Sequence, residues 1–289
     1  MTARRALAIA AGALAAASAL ALEKKVDVGG FKLNLRCAGE GSPIVVLDSG
    51  AGDTSATWDW VIPDVKKFTR VCAYDRAGLG KSAAGPKPRS AEKISGELHN
   101  LLRRAGMLPP YVLAGHSAGG LNVRLYAARF PDEVAGLVLV DATQEDFPKM
   151  EAAILMQAER EKTRTAIANA PEAVRDEIEA IPLSVEELRH AGPAPEVPVA
   201  IITAFHETES EKFRKAWIEL QDRLAATYPG ASRILAQKSG HYVPFDEPEL
   251  VVDTIRKVVE EARGKASSPP RPASARPTSE GPRGSSGSP

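Results

Sequence analysis

Residues 111–126 read YVLAGHSAGGLNVRLY: a short apolar run meets a cluster of very small residues, and an amphipathic pattern resumes beyond it. A strand that ends at such a cluster and a helix that begins from it must be joined by a very tight corner. Gly115 and Gly119 stand two residues either side of Ser117, giving the pattern G-x-S-x-G. Larger side chains at those positions would collide as the backbone reverses. The corner lifts the Ser117 hydroxyl clear of the sheet end and sets it at the positive N-terminal end of the following helix. This stretch alone predicts a strand–turn–helix unit presenting a nucleophile.

The rest of the chain repeats the alternation. PIVVLDSG (43–50), RVCAYDRAG (70–78), VAGLVLVDA (134–142) and VPVAIITAF (197–205) are continuous apolar runs rich in β-branched residues. Such runs predict strands covered on both faces, as in a parallel sheet. Between them lie helical periods. Ile94, Leu98, Leu101 and Leu102 share one face, as do Phe213, Trp217, Leu220 and Leu224 in a second segment. Val251, Val252, Ile255, Val258 and Val259 mark a third. Strand–helix alternation implies βαβ units with right-handed crossovers. The interval 143–196 breaks the rhythm: it is charged and helix-prone, with two expected helices (EAAILMQAEREKTRTAIANA and PEAVRDEIEAI) and a Pro-rich return. It is expected to cap one end of a sheet core formed by 22–142 and 197–263.

The two ends differ from this core. Arg4 and Arg5, an alanine-rich apolar run and the small-x-small tripeptides Ala17-Ser18-Ala19 and Ala19-Leu20-Ala21 give residues 1–21 the layout of a secretory signal peptide. The run is shorter than the roughly 20 residues needed to span a bilayer, so the expectation is export, with no stable membrane span after cleavage. Residues 264–289 are rich in Pro, Ser and Gly. They lack the apolar surface needed to offset ordering entropy, and are expected to form a disordered tail. With 37 basic and 37 acidic residues and no basic stripe, nothing marks a nucleic-acid partner. Cys37 and Cys72 are the only cysteines. In an oxidising compartment they can be joined, and otherwise they are two buried thiols.

A serine nucleophile needs a base, and the base needs an acid to orient it. Of the five histidines, His99 falls in a helical pattern and His190 in the cap. His116 adjoins Ser117, where neighbouring side chains diverge, and is expected to line the pocket. His206 follows a strand and reads as a loop residue. His241, in SGHYVPFDEP, follows the strand-like SRILAQ and precedes the last helix, on a late loop at the sheet's end. It is the expected base. Asp141 ends the strand GLVLVD and is favoured as the acid over Glu207, which sits in the polar stretch AFHETE. Oxyanion donors, worth about 3 kcal/mol each, are expected from the backbone N–H groups of Ala118 and of Ala51 in SGAGDTSATW. The GKS of YDRAGLGKS is no phosphate loop, because Asp75 stands where the first glycine would be. No pair of histidines or cysteines has metal-ligand spacing, so neither metal nor cofactor is expected.

LDSGAGDTSATW, YDRAGLGKS, GHSAGG, AGLVLVD and SGHYVPFDEPE, in that order, resemble the α/β-hydrolase superfamily, in its esterase/lipase-like branch. The resemblance runs from about Gly30 to Arg263 and is weakest in the cap. It implies the α/β-hydrolase fold: a mostly parallel central sheet flanked by helices, with a helical cap inserted after the sixth strand. It also implies a serine hydrolase with Ser117, acid and His241 in chain order, acting on a small-molecule ester without a cofactor. Glu207 lies close to where many members carry the acid. One departure is Ser49-Gly50, where many members have His-Gly. Dehalogenases and epoxide hydrolases of this fold use aspartate at the elbow, so Ser117 speaks against both. Amidase, aminopeptidase and perhydrolase chemistry stay open on the same residues, as does a non-catalytic ligand-binding role. The charged cap favours a modest, soluble ester.

Overall fold

The computed structural model describes residues 22–154, 156–193 and 195–266. The expected signal peptide lies outside these residues, as does the expected tail beyond Ala266. Eight strands build one sheet: β1 (Leu22–Asp27), β2 (Lys32–Ala38), β3 (Ile44–Asp48), β4 (Val71–Tyr74), β5 (Tyr111–His116), β6 (Val134–Val140), β7 (Val199–Ala204) and β8 (Ser232–Ala236). Their spatial order is β1-β2-β4-β3-β5-β6-β7-β8. The β1–β2 and β2–β4 pairs are antiparallel and every other pair is parallel.

Period-two alternation explains the continuous apolar runs of the central strands. In β3, Ile44 and Val46 join one core cluster while Val45 and Leu47 join the other. Tyr111 and Leu113 oppose Val112 and Ala114 in the same way in β5, as do Leu137 and Leu139 against Val138 and Val140 in β6. Both faces must therefore be covered. The helices α2 (Ala91–Ala105), α3 (Gly119–Arg129) and α8 (Glu211–Ala226) cover the first face with Leu98, Leu101, Leu102, Val123, Tyr126 and Leu224. The short α1 (Ile62–Val65) and the long α10 (Pro248–Ala266) cover the second with Val65, Val251, Ile255, Val258 and Val259. A one-turn helix, α9 (Val243–Asp246), precedes α10.

Between β6 and β7 the chain forms four helices rather than two: α4 (Phe147–Ile154), α5 (Gln157–Ala168), α6 (Glu172–Glu179) and α7 (Ile181–Arg189). The run expected as one helix restarts where the Glu159 carboxylate accepts the Met156 N–H at 2.8 Å, a helix-start hydrogen bond. The extra helix α7 carries Pro182 in its first turn, where a missing N–H costs nothing. It packs on the core: Ser184 Oγ accepts the Ala91 N–H at 2.9 Å and so satisfies an orphan amide at the start of α2.

The antiparallel edge differs from the parallel runs that the apolar pattern predicts. β1 is mostly exposed and charged, LEKKVD, because it is an edge strand with one buried residue, Val26. The β1–β2 reversal is tight: the Asp27 carboxylate accepts the N–H groups of Gly29 and Gly30 at 2.9 and 3.0 Å. Further in, Cys37 of β2 stands directly opposite Cys72 of β4, and the two are joined in a disulfide. The bridge closes a loop of 35 residues, which chain entropy values at about 4 kcal/mol of unfolded-state destabilisation. The Cys37→Ser/Cys72→Ser double variant should lose about 2–4 kcal/mol in denaturant unfolding. An unchanged midpoint would show that the bridge does not constrain the unfolded chain.

Candidate active site

Three non-glycine residues among those described have positive φ: Ser117 (53°), Asp141 (43°) and His206 (56°). They sit just beyond the ends of β5, β6 and β7, three neighbouring parallel strands. Strain of this kind persists only where surrounding structure over-determines it, and it collects at functional sites.

At Ser117 the determinant is close packing. A Cβ on Gly115 would stand 2.6 Å from the carbonyl oxygen of Gly119, and one on Gly119 would stand 2.5 Å from that of Asp48. Neither position tolerates a side chain, so the elbow depends on both glycines. The corner is further held by Ser117 N–H donating to Val140 O at 3.1 Å and by Thr143 N–H donating to Ser117 O at 3.0 Å.

The expected residues converge on this corner. His241 Nε2 lies 2.9 Å from Ser117 Oγ, and His241 Nδ1 lies 2.7 Å from Asp141 Oδ2. A carboxylate can only accept, so Nδ1 carries the proton and the Nε2 lone pair faces the hydroxyl. Asp141 is fully buried and its carboxylate takes four donors. Oδ2 accepts from His241 and from His206 Nε2 at 2.9 Å, and Oδ1 accepts from Trp217 Nε1 at 2.7 Å and Ala204 N–H at 2.9 Å. Burial alone would raise the Asp141 pKa, but the hydrogen bonds from His206 and His241 overcome it and hold the carboxyl well below its usual range. Glu207, the alternative acid, is exposed and away from this cluster, with its backbone carbonyl taken by Arg214.

Two histidines differ from their sequence reading. His206 lies in the loop after β7 as expected, but it is buried and bonded to Asp141. His116 does not line an open pocket: it is fully buried, and its Nε2 donates to the His241 carbonyl at 2.8 Å. Burial, then the field of His241, pushes its pKa down to about 4, so it is a neutral prop for the His241 backbone. Nothing in the local sequence marks His206 or Trp217 as partners of Asp141, since 65 and 76 residues separate them. His99 pairs with Glu133 and His190 is exposed at the end of α7, both outside the cluster. Ligand atoms of Asp141, His206 and His241 lie within 4.8 Å of one another, a set that could also hold a metal ion. Direct hydrogen bonds at 2.7 and 2.9 Å already join both imidazoles to Asp141 Oδ2. A cation there would have to displace both protons.

Ala51 and Ala118 line one small cavity of about 10 Å³, near the lower limit for a single water. Among the described residues neither amide N–H donates to a protein acceptor. The loop that carries Ala51 is held from below by a buried cation. Arg76 Nη1 reaches Asp48 Oδ1 and Ser49 O at 2.7 Å each, Nη2 reaches Gly50 O at 2.5 Å, and Nε reaches Glu177 Oε1 of α6 at 2.7 Å. Glu177 Oε2 also accepts the Gly52 N–H at 2.8 Å. Burial works against the Arg76 charge, but Glu177 and Asp48 hold its pKa well above the ordinary value. One cap carboxylate therefore fixes both the arginine and the loop.

Residues 43–180 match the sequence model of the alpha/beta hydrolase fold family. An uncharacterised protein of Bacillus subtilis (strain 168), YqjL, is 27% identical over 217 residues, covering 74% of this chain and 82% of the relative. Among solved structures, the enol-lactonase from Burkholderia xenovorans LB400 superposes with a TM-score of 0.60 at 20% identity, over 82% of this chain and 100% of that one. A thermophilic esterase from Thermogutta terrifontis gives a TM-score of 0.61 at 22% identity, over 83% and 99%. Sheet order, elbow and matched family together define a hydrolase of the α/β class. The chain has the alpha/beta-hydrolase fold, and its residues 43–180 match that family's model.

Two outcomes follow from the geometry. Asp141→Asn should cut turnover by about 10⁴-fold, as a neutral amide no longer selects the His241 tautomer, while Glu207→Gln should leave it within about twofold. Glu177→Ala leaves Arg76 short of a partner and should cost about 3–5 kcal/mol in stability, with Glu177→Gln recovering part of it in thermal unfolding. Equal melting of Glu177→Ala and the unaltered chain would contradict the tie.

Proposed function

We propose that the protein is an exported serine hydrolase that cleaves a carboxylic ester through an acyl-enzyme on Ser117. One observation carries this reading: the unbroken hydrogen-bond path from Ser117 Oγ through His241 to Asp141.

His241 Nε2 takes the hydroxyl proton as Ser117 Oγ attacks the ester carbonyl. Asp141 keeps the proton on Nδ1 and stabilises the imidazolium that forms. The carbonyl oxygen becomes an oxyanion held by the N–H groups of Ala51 and Ala118, each contributing about 3 kcal/mol to the barrier reduction. His241 then returns its proton to the departing alcohol. Water, deprotonated by the same nitrogen, attacks the acyl-enzyme, and the acid leaves as the Ser117 hydroxyl is restored. Amide, peptide and perhydrolysis chemistry would use the same residues. Export rests on the N-terminal segment 1–21, and the Cys37–Cys72 disulfide fits an oxidising compartment.

A fluorophosphonate should label the purified protein at Ser117 alone, with peptide mass spectrometry locating the adduct, and His241→Ala should abolish the label. Labelling should be indifferent to EDTA, which separates this reading from a metal held by Asp141, His206 and His241. A folded but unlabelled protein would favour a ligand-binding role without turnover.

His206 should tune the site through Asp141. Removing its donor in His206→Phe should lower kcat by about tenfold, as for a buried hydrogen bond to a charged group. With one donor gone, the Asp141 carboxylate turns more of its charge on the His241 Nδ1–H, which favours the imidazolium over the neutral base, so the acid limb of the activity profile should move to higher pH. His206→Gln, which keeps an N–H, should reverse part of both changes. An unmoved acid limb in His206→Phe would mean that the contact is only structural.

A further inference from the structure

One charged group beside Ser117 has no part in the chemistry so far. A Cβ placed on Gly50 would lie 2.9 Å from Asp53 Oδ2, 3.2 Å from Ser117 Cβ and 3.3 Å from His116 Nδ1. Asp53 therefore presents its carboxylate across the bare face of Gly50 from the nucleophile, two residues after the Ala51 amide. It is half-buried. Its backbone is engaged, with the N–H donating to Gly50 O at 3.0 Å, but among the described residues its carboxylate has no hydrogen-bond or ion-pair partner. The nearby guanidinium of Arg76 is already committed to Asp48 and Glu177.

The two guanidiniums that line the cavity beside Ala118 are both committed elsewhere, Arg76 to Asp48 and Glu177 and Arg89 to Glu97. Burial raises the Asp53 pKa, opposed by the fields of Arg76 and His241. The Tyr242 pKa is raised by its own burial and then by the charge of Asp53, so this carboxylate is felt on both His241 and Tyr242 at the site's mouth. An unpaired carboxylate so close to an oxyanion hole opposes the negative charge that develops there. That opposition disappears if the substrate brings a positive charge against it, and the pairing is worth most when the oxyanion forms.

We infer that Asp53 is a specificity residue that receives a cationic group, an ammonium, carried by the substrate a few atoms from the scissile carbonyl. This rests on the serine-hydrolase reading and names its substrate class: esters or amides of amino acids or amino alcohols rather than neutral or carboxylate-bearing ones. A cation seated on Asp53 neutralises it in the complex and draws the carbonyl toward the Ala51 and Ala118 amides.

The test uses two fluorophosphonates that differ in one atom of the alkoxy arm, one ending in trimethylammonium and the other in the isosteric tert-butyl group. Inactivation by the cationic probe should be faster by about tenfold or more, with the advantage shrinking as salt is raised. Asp53→Asn should bring the two rates to within about twofold of each other. The 4-nitrophenyl esters of trimethylammonioacetate and of 3,3-dimethylbutanoate give the same comparison on the acyl side, read as kcat/KM over background. Equal rates for both pairs in the unaltered protein, or a cation preference that Asp53→Asn retains, would overturn the assignment to Asp53 while leaving the serine hydrolase standing. No reaction of Ser117 with either probe would overturn the hydrolase reading itself, and this proposal with it.

Discussion

The carboxylate of Asp141 is the point at which distant parts of this chain are made to agree. It collects donors from the loop after β7, the end of β7, α8 and the loop before α9, namely His206, Ala204, Trp217 and His241. A buried charge with fewer donors would be costly, and a neutral carboxyl would not hold His241 in one tautomer. Filling all four acceptor positions makes the ionised form stable without a formal counter-ion beside it. The pKa of Asp141 is accordingly depressed in the folded chain. Its contribution to stability is fully present above the ordinary carboxylate range and is lost only as pH falls toward the folded value.

The sheet supplies the second constraint. Ser117, Asp141 and His206 follow three successive parallel strands, and each takes a positive φ to turn its side chain across the strand ends. Ladder bonds to both neighbours fix where β5 and β6 end, so the distance between Ser117 and Asp141 follows from register rather than from loop flexibility. The cap reaches the same region through Glu177, whose carboxylate joins α6 to Arg76 and to the loop bearing Ala51. The cap and the loop bearing Ala51 are thus one mechanical unit.

What could be read from the residues was what is encoded locally. The G-x-S-x-G corner is visible because the approach of Gly115 to Gly119 is local, although Gly119 is also required by Asp48 far off in the chain, and the central strands are visible because burial on both faces leaves an unbroken apolar run. Asp141 and Glu207 were hard to separate because the deciding facts are donors from 63 to 100 residues away. His206 escaped for the same reason: its role exists only once β6 and β7 are paired. The β1–β2 hairpin carries no clear sequence signal because an exposed edge strand keeps a charged sequence, and the cap shows more helices than its pattern because the start at Gln157 rests on one hydrogen bond, Met156 N–H to Glu159, and the start at Ile181 on Pro182 in the first turn.

A covalent intermediate at Ser117 is what the proposed chemistry requires above all. Acid-quenched mixing of the protein with an activated ester, followed by peptide mass spectrometry, reads this directly. The account predicts an acyl adduct on Ser117 that forms in the first turnover and disappears as substrate is exhausted. Sustained ester hydrolysis with no adduct on Ser117 at any time would contradict it.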